Sequence, residues 1–176
     1  MPVSDHDSIR GAARRAVRAM TDAPRERFDE LYAPDAVHRE AVREPQDCRQ
    51  PGPAGFFATA TWLRAAFSDL AWADDDVVAT GDLAVVHGRM SGRHTGTFVT
   101  YRPDGTVERA FSPTGKAFCT RQAHFLRVRD GLVVEHWAVR DDLAQAQELG
   151  WIPPTPWYLL RCARATATAR RRLASG

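Results

Sequence analysis

Residues 121–150 read RQAHFLRVRD GLVVEHWAVR DDLAQAQELG, and this stretch decides the fold. Two runs of alternating apolar and polar residues flank Asp130-Gly131, a pair that is typical of a two-residue hairpin turn. A helical pattern starts at Asp141 and stops at Gly150, the residue type that most often follows a helix end. The stretch therefore predicts two antiparallel strands followed by a short helix.

Side chains at alternate positions of a strand share one face of the sheet. One face of the predicted hairpin carries Gln122, His124, Leu126, Val134, His136, Ala138 and Arg140. Two histidines and an amide would thus lie together, near a helix start that carries Asp141 and Asp142. This face is a candidate active site, because histidine titrates near neutrality and can exchange protons with a substrate.

Composition places the chain among globular proteins of one domain. It has 176 residues, of which 44% are hydrophobic and 26% charged. No apolar run approaches the roughly 18 residues that cross a bilayer, so no membrane span is expected. Residues 1–7 are polar and acidic, unlike a signal peptide, and we therefore expect a cytoplasmic location.

Metal and cofactor sites are not predicted. Cys48, Cys119 and Cys162 are widely spaced and form no CxxC pair, so they are interpreted as ordinary thiols. The six histidines are scattered without a zinc-binding spacing. Neither a phosphate-binding loop nor a Rossmann glycine pattern is present.

The C-terminal end is basic, with five arginines and no acidic residue after Glu148. Clustered arginines can bind nucleic acid or anionic lipid. However, the segment lacks the interleaved aromatic residues of a single-strand binder, and arginines also suit the last turn of a helix. No nucleic-acid partner is expected. A helix over residues 154–172 would present an apolar side with Trp157, Leu159, Leu160 and Cys162 on or near it.

The order of the patterns predicts an α+β fold. Helices are expected over residues 8–20, from Pro24 to the stop at residues 32–35, and over 54–70, with a strand over 36–42 and a loop over 43–53. Six strands follow, over residues 71–79, 83–90, 93–101, 106–111, 117–129 and 132–140. A sequentially paired sheet that curls over the helices would leave a hollow in which a small ligand can bind.

The chain resembles the SnoaL-like polyketide cyclases, also labelled ester cyclases, of the NTF2-like superfamily. The resemblance rests on residues 28–38, 78–86, 92–96, 112–116, 125–131, 135–137 and 141–150, in this order and spacing. It covers roughly residues 8–152, about four fifths of the chain. The domain organisation expected from it is a SnoaL-like domain over 1–152 and a basic, partly helical tail over 153–176.

The resemblance implies a cone, in which a curved antiparallel sheet wraps over the N-terminal helices around a deep apolar pocket. It also implies no metal, no cofactor, and a homodimer or higher homo-oligomer. In cyclases of this kind an acid/base pair closes a ring of a polyketide ester by intramolecular aldol condensation. Gln122 and His124 look like the family's Gln-x-His pair, and His136 looks like its histidine on the next strand. The family's key aspartate, two residues further on, is replaced here by Ala138.

The resulting site hypothesis has catalytic residues His124, His136 and Asp141, and substrate-binding residues Gln122, His38, Tyr32 and Trp62. Asp141 is the nearest substitute for the missing acid, although a cap of the following helix is the more common role for such a residue. The leading functional hypothesis is a cofactor-independent enzyme that uses acid–base chemistry on a hydrophobic polyketide-type carbonyl substrate. A non-catalytic small-molecule binding protein and an epoxide hydrolase or hydratase are the alternatives.

One further departure from the family is the length of the segment over residues 97–112. The prediction is an extended hairpin that overhangs the pocket or a subunit interface.

Overall fold

The computed structural model describes residues 5–175. Its helices are α1 (Asp5–Asp22), α2 (Arg25–Asp29), α3 (Gly52–Ala66), α4 (Asp142–Glu148) and α5 (Pro156–Ser175). Its strands are β1 (Tyr32–His38), β2 (Phe67–Thr80), β3 (Leu83–His94), β4 (Phe98–Tyr101), β5 (Val107–Phe111), β6 (Ala117–Arg129) and β7 (Leu132–Arg140). Two short 3-10 turns, Ala41–Arg43 and Gln46–Arg49, connect β1 to α3.

The main sheet has the strand order β1-β7-β6-β3-β2, and β4 and β5 form a separate two-stranded sheet. All neighbouring strands are antiparallel except β1 and β7, which pair in parallel. The helices α1 and α3 pack against one face of the main sheet through a common apolar core. The α+β class and the curved open sheet over N-terminal helices are confirmed.

The hairpin between β6 and β7 has the predicted turn. Asp130 and Gly131 both adopt positive φ angles, 51° and 79°, as a tight turn with two left-handed residues requires. The register pairs Gln122 with Arg140 and His124 with Ala138. Because directly paired residues of antiparallel strands point to the same face, this register brings the predicted polar residues together.

Three predicted boundaries were wrong. The strand expected over 36–42 is β1, which starts earlier and ends at His38, because the chain then turns into a 3-10 segment. The helix expected to reach Leu70 ends at Ala66, since the apolar residues after it fit a strand pattern equally well. The strand expected over 93–101 is divided: β3 continues to His94, and the N–H of Gly96 donates to the carbonyl of Ala66 before β4 begins.

The C-terminal helix α5 packs along β5, one of the two strands of the small sheet. Its side chains satisfy backbone groups at that edge, as an otherwise unpaired edge strand needs. Thr166 Oγ1 accepts from the N–H of Ala110 at 2.9 Å, and Tyr158 Oη donates to the carbonyl of Ser112 at 3.0 Å.

The apolar side predicted for this helix was partly wrong. The residues of α5 that are buried are Tyr158 and Cys162, whereas Trp157, Leu159 and Leu160 are exposed. Among the helices of residues 5–175, none combines the length and the apolar character of a membrane span.

Candidate active site

A cavity of about 320 Å³ lies between the concave face of the main sheet, the helices and the small sheet. The extended hairpin covers it, because Phe98 and Thr100 of β4 and Phe111 of β5 belong to its wall. Most of the remaining wall is apolar or aromatic, with Tyr32, Phe56, Trp62, Leu63, Phe67, Leu70, Met90, Phe118, Leu126 and Trp151. Such a cavity suits a hydrophobic ligand that a few polar groups orient.

Three polar side chains form a connected line across the cavity wall, and we call Gln122, His124 and His136 the polar line. His124 Nε2 lies 3.0 Å from Gln122 Oε1, and His124 Nδ1 lies 2.9 Å from His136 Nε2. Since an amide oxygen only accepts, His124 carries its proton on Nε2 and accepts from the Nε2–H of His136 through Nδ1. This order leaves a bare lone pair on His136 Nδ1, which is buried and has no partner among the described residues.

The histidines around the cavity are neutral at physiological pH. Burial, and to a smaller extent the nearby Arg140, lower the pKa of His124 to about 3 and the pKa of His38 to about 4. The pKa of His136 also lies well below its ordinary value, first because of burial and then because of the neighbouring histidines. A neutral imidazole with a free nitrogen can accept a proton or a hydrogen bond from a ligand.

Glu40 places a carboxylate beside Ala138, the position where the family's aspartate is missing from this chain. It follows β1, and its Oε1 accepts from the backbone N–H of Ala138. Its Oε2 is buried without a hydrogen bond from the described residues and lies 3.6 Å from Arg140 Nη1. Burial raises the pKa of Glu40, and this effect is larger than the opposing effects of the Ala138 N–H and of Arg140.

Sequence reasoning missed Glu40. The feature that places Glu40 near the polar line is the parallel pairing of β1 with β7. This pairing aligns His38 with His136 and brings the residues after His38 toward Ala138. The alternation of a single strand does not reveal which distant strand lies beside it. The pairing therefore had to come from the structure.

The structure also shows one group that could hold a metal ion. Ligand atoms of His38, Glu40 and His136 lie within 4.8 Å of one another, the one such cluster among the described residues. Two histidines and a carboxylate can bind Zn²⁺ or Fe²⁺ and leave coordination positions open. Sequence reasoning predicted no metal, because the three residues are too far apart in the chain to form a motif.

The other predicted binding residues line the cavity, and each also makes a structural contact. Tyr32 is buried, stacks on Phe56 at 4.0 Å and donates through Oη to the carbonyl of Ala16. Trp62 donates through Nε1 to the carbonyl of Val99 at 3.0 Å, which joins α3 to the small sheet.

His38 stacks on Phe56, with the ring centroids 5.2 Å apart. Its Nε2 faces Glu44, a carboxylate that already accepts from Thr59 Oγ1. Glu44 is therefore partnered, unlike the free oxygen of Glu40.

The catalytic role predicted for Asp141 needs correction. This residue is the cap of α4: its Oδ1 accepts from the backbone N–H of Ala144 at 2.9 Å. It is exposed and does not belong to the cavity wall. The carboxylate is thus committed to the helix start, as its position directly before α4 favours.

Comparison with known proteins agrees with this geometry. Residues 11–149 match the family model of the SnoaL-like polyketide cyclases. Aklanonic acid methyl ester cyclase DnrD of Streptomyces peucetius is 28% identical over 144 residues, which cover 81% of this chain and 91% of that protein.

Two solved structures are similar as well. IdmH from Streptomyces antibioticus, a candidate polyketide cyclase, has a TM-score of 0.63 at 28% identity, over 81% of this chain and 98% of that chain. TsrD from Streptomyces laurentii has a TM-score of 0.66 at 24% identity, over 84% of this chain and 98% of that chain, and supports the fold.

Proposed function

The chain belongs to the family of SnoaL-like polyketide cyclases, and on this premise we propose that it closes a ring in a hydrophobic polyketide-type ester by acid–base chemistry, without a cofactor. The observation that carries the proposal is the polar line in an otherwise apolar cavity, with an unpartnered nitrogen on His136. Apolar walls hold the carbon skeleton, and the polar line meets the reacting carbonyl groups.

The proposed reaction is an intramolecular aldol addition. His136 Nδ1 takes the proton from the carbon between the ester and a ketone, and the resulting enolate carbon attacks a second carbonyl of the same molecule. One C–C bond forms, one C=O π bond breaks, and the new alkoxide takes up a proton. The product is an isomer of the substrate, so no oxidant or reductant is needed.

Within this proposal His124 and Gln122 are positioning residues. Gln122 fixes the proton of His124 on Nε2, and His124 then fixes the proton of His136 on Nε2. The nitrogen that faces the substrate is therefore always the bare one. General acid–base catalysis by a positioned side chain contributes roughly 10²- to 10⁴-fold to the rate.

The test uses aklanonic acid methyl ester, the substrate named for the 28% identical relative. Purified protein is incubated with the ester, and the products are separated by liquid chromatography and weighed by mass spectrometry. We expect a new peak of unchanged mass with the wild-type chain, and a rate about 100-fold lower with His124→Gln. Equal rates for the variant, or no conversion of this ester and related β-keto esters by the wild type, would refute the proposal.

A non-catalytic binding protein is the second candidate, and the residue that favours it is Ala138, which lacks the acid expected on β7. A binder would hold the ester unchanged. Native mass spectrometry of the wild type and of His124→Gln would then show the same retained ligand, and liquid chromatography of the released ligand would show the unchanged ester and no isomer.

A further inference from the structure

We propose that Glu40 is the catalytic acid of this chain, which gives its proton to the alkoxide that ring closure creates. The inference rests on the proposed function and deepens it, because it names the partner of His136 in the acid/base pair. It also accounts for a chain with alanine at position 138, since the carboxylate comes from the segment after β1 instead of from β7.

The first argument compares the carboxylates of the cavity wall, which are Glu40, Glu44 and Asp142. Glu44 is bonded to Thr59 and faces His38. Asp142 is exposed at the rim and lies 3.6 Å from Arg140 Nε. Only Glu40 combines a buried oxygen, the absence of a hydrogen bond at that oxygen among the described residues, and a place beside the polar line.

The second argument is the way in which Glu40 is held. Its Oε1 accepts from the N–H of Ala138, so the carboxyl group is fixed against β7, and its buried Oε2 has no hydrogen bond from the described residues and lies 3.6 Å from Arg140 Nη1.

The third argument concerns where the proton rests. Glu40 and His136 offer atoms within 4.8 Å of each other. Arg140 Nη1 lies 3.6 Å from Glu40 Oε2 and favours the carboxylate, whereas burial favours the protonated acid and has the larger effect on the pKa of Glu40. Burial has the opposite effect on the pKa of His136, which it lowers, so the proton rests more readily on Glu40 than on His136.

The proton balance closes within the pair. His136 Nδ1 takes the proton from the substrate carbon, and Glu40 Oε2 gives its own proton to the alkoxide. After ring closure His136 is an imidazolium and Glu40 is a carboxylate, a short distance apart. Transfer of one proton from His136 to Glu40 restores the starting state, so no external acid is consumed.

The test compares Glu40→Gln with Glu135→Gln in the cyclisation assay. Glu135 is a matched control, because its side chain is 21% exposed against 22% for Glu40, but it faces Arg39 and Arg127 outside the cavity. We expect kcat to fall about 100-fold with Glu40→Gln, and to stay within threefold of the wild type with Glu135→Gln. A Glu40→Gln rate within threefold of the wild type would overturn the inference and leave the proposed function standing.

Two measurements cover the case in which Glu40→Gln does not fold. With Glu40→Asp, which withdraws the carboxyl group by one methylene, we expect a loss of tenfold or more, and full activity would overturn the inference. For the wild type, kcat/KM should fall as the pH rises through the raised pKa of Glu40, because the acid loses its proton. A rate that instead rises through that range would overturn the acid role.

The groups that face Glu40 and shape this pH profile are His38, Glu44, His136, Arg140 and Asp142. A chelator distinguishes the acid from a metal ligand. We expect unchanged turnover of the wild type after treatment with EDTA. Loss of turnover that Zn²⁺ or Fe²⁺ restores would mean that Glu40 serves as a ligand, and would overturn the inference. A wild type that converts no ester at all refutes the proposed function and the inference together.

Discussion

Buried histidines lie in two regions of the main sheet, and their surroundings differ: His94 ends β3 beside the start of β6, whereas His124 and His136 lie within the paired strands β6 and β7. His94 is fully buried between the rings of Phe67 and Trp151, and Trp151 Nε1 donates to its Nδ1. His124 and His136 lie in the cavity wall, with Glu40 beside them. Burial is the main reason why the pKa of both residues is low, about 4 for His94 and about 3 for His124.

Burial and a lowered pKa therefore do not by themselves identify a functional histidine. His94 Nε2 is even without a partner among the described residues, as His136 Nδ1 is. What distinguishes the polar line is access to a cavity of ligand size together with a nearby carboxylate. We interpret His94 as a packing residue between Phe67 and Trp151 and the polar line as the site of the chemistry.

The largest expected effect is a difference in turnover between a variant of the polar line and a variant of His94. His136→Gln removes the bare nitrogen that takes the proton, so turnover should fall about 100-fold or more in the cyclisation assay. His94→Gln should leave the turnover of correctly folded protein within threefold, because His94 does not line the cavity. A comparable loss in both variants would break the comparison.

The next effect is tenfold in size and concerns the origin of the carboxylate. In the Glu40→Gln background, Ala138→Asp places an acid on β7 beside the polar line. We expect at least a tenfold recovery of turnover relative to Glu40→Gln alone, measured in the same assay. No recovery would contradict the view that both positions deliver a carboxyl group to the same part of the cavity.

The hairpin of β6 and β7 and its polar face could be predicted from the sequence, because alternation and turn chemistry are local signals. Gln122, His124 and His136 were found in this way. Glu40 could not be found, since it depends on the pairing of β1 with a strand about 100 residues away. The end of α3 was also missed, because Phe67 and Leu70 are apolar residues that a helix and a strand bury equally well.

The third effect is a pH dependence of stability. Folding lowers the pKa of His38, His94, His124 and His136, so below pH 6.5 the unfolded chain binds protons that the folded chain does not. The contribution of these neutral histidines to the free energy of unfolding is complete above pH 6.5 and is lost as the pH falls toward 4. Urea unfolding should therefore give a lower free energy of unfolding at pH 5 than at pH 7.5, by roughly 1 kcal/mol or more per buried histidine.

Glu40 acts in the opposite direction, because its raised pKa lets the folded chain bind a proton before the unfolded chain does. Its contribution is present below the ordinary pKa of 4.5 and is lost as the pH rises through the raised value. Glu40→Gln should therefore steepen the loss of stability between pH 7.5 and 5 relative to the wild type. Equal slopes for the two proteins would contradict the burial of Glu40.

The smallest effect concerns Tyr32, which lines the cavity and also packs. Tyr32→Phe removes the hydrogen bond from Oη to the carbonyl of Ala16 and keeps the ring stacked on Phe56. The free energy of unfolding should fall by about 1 kcal/mol, with little change in turnover. A tenfold loss of turnover at unchanged stability would instead give Tyr32 a direct role toward the substrate.

The central claim is that His136 presents a bare Nδ1 to the cavity, and ¹⁵N NMR of the imidazole nitrogens tests it without any substrate. We predict neutral rings for His124 and His136 from pH 7.5 to pH 5, with both protons on Nε2 and both Nδ1 atoms unprotonated. A charged His136 in this range, or a proton on its Nδ1, would contradict the claim that this nitrogen is the base.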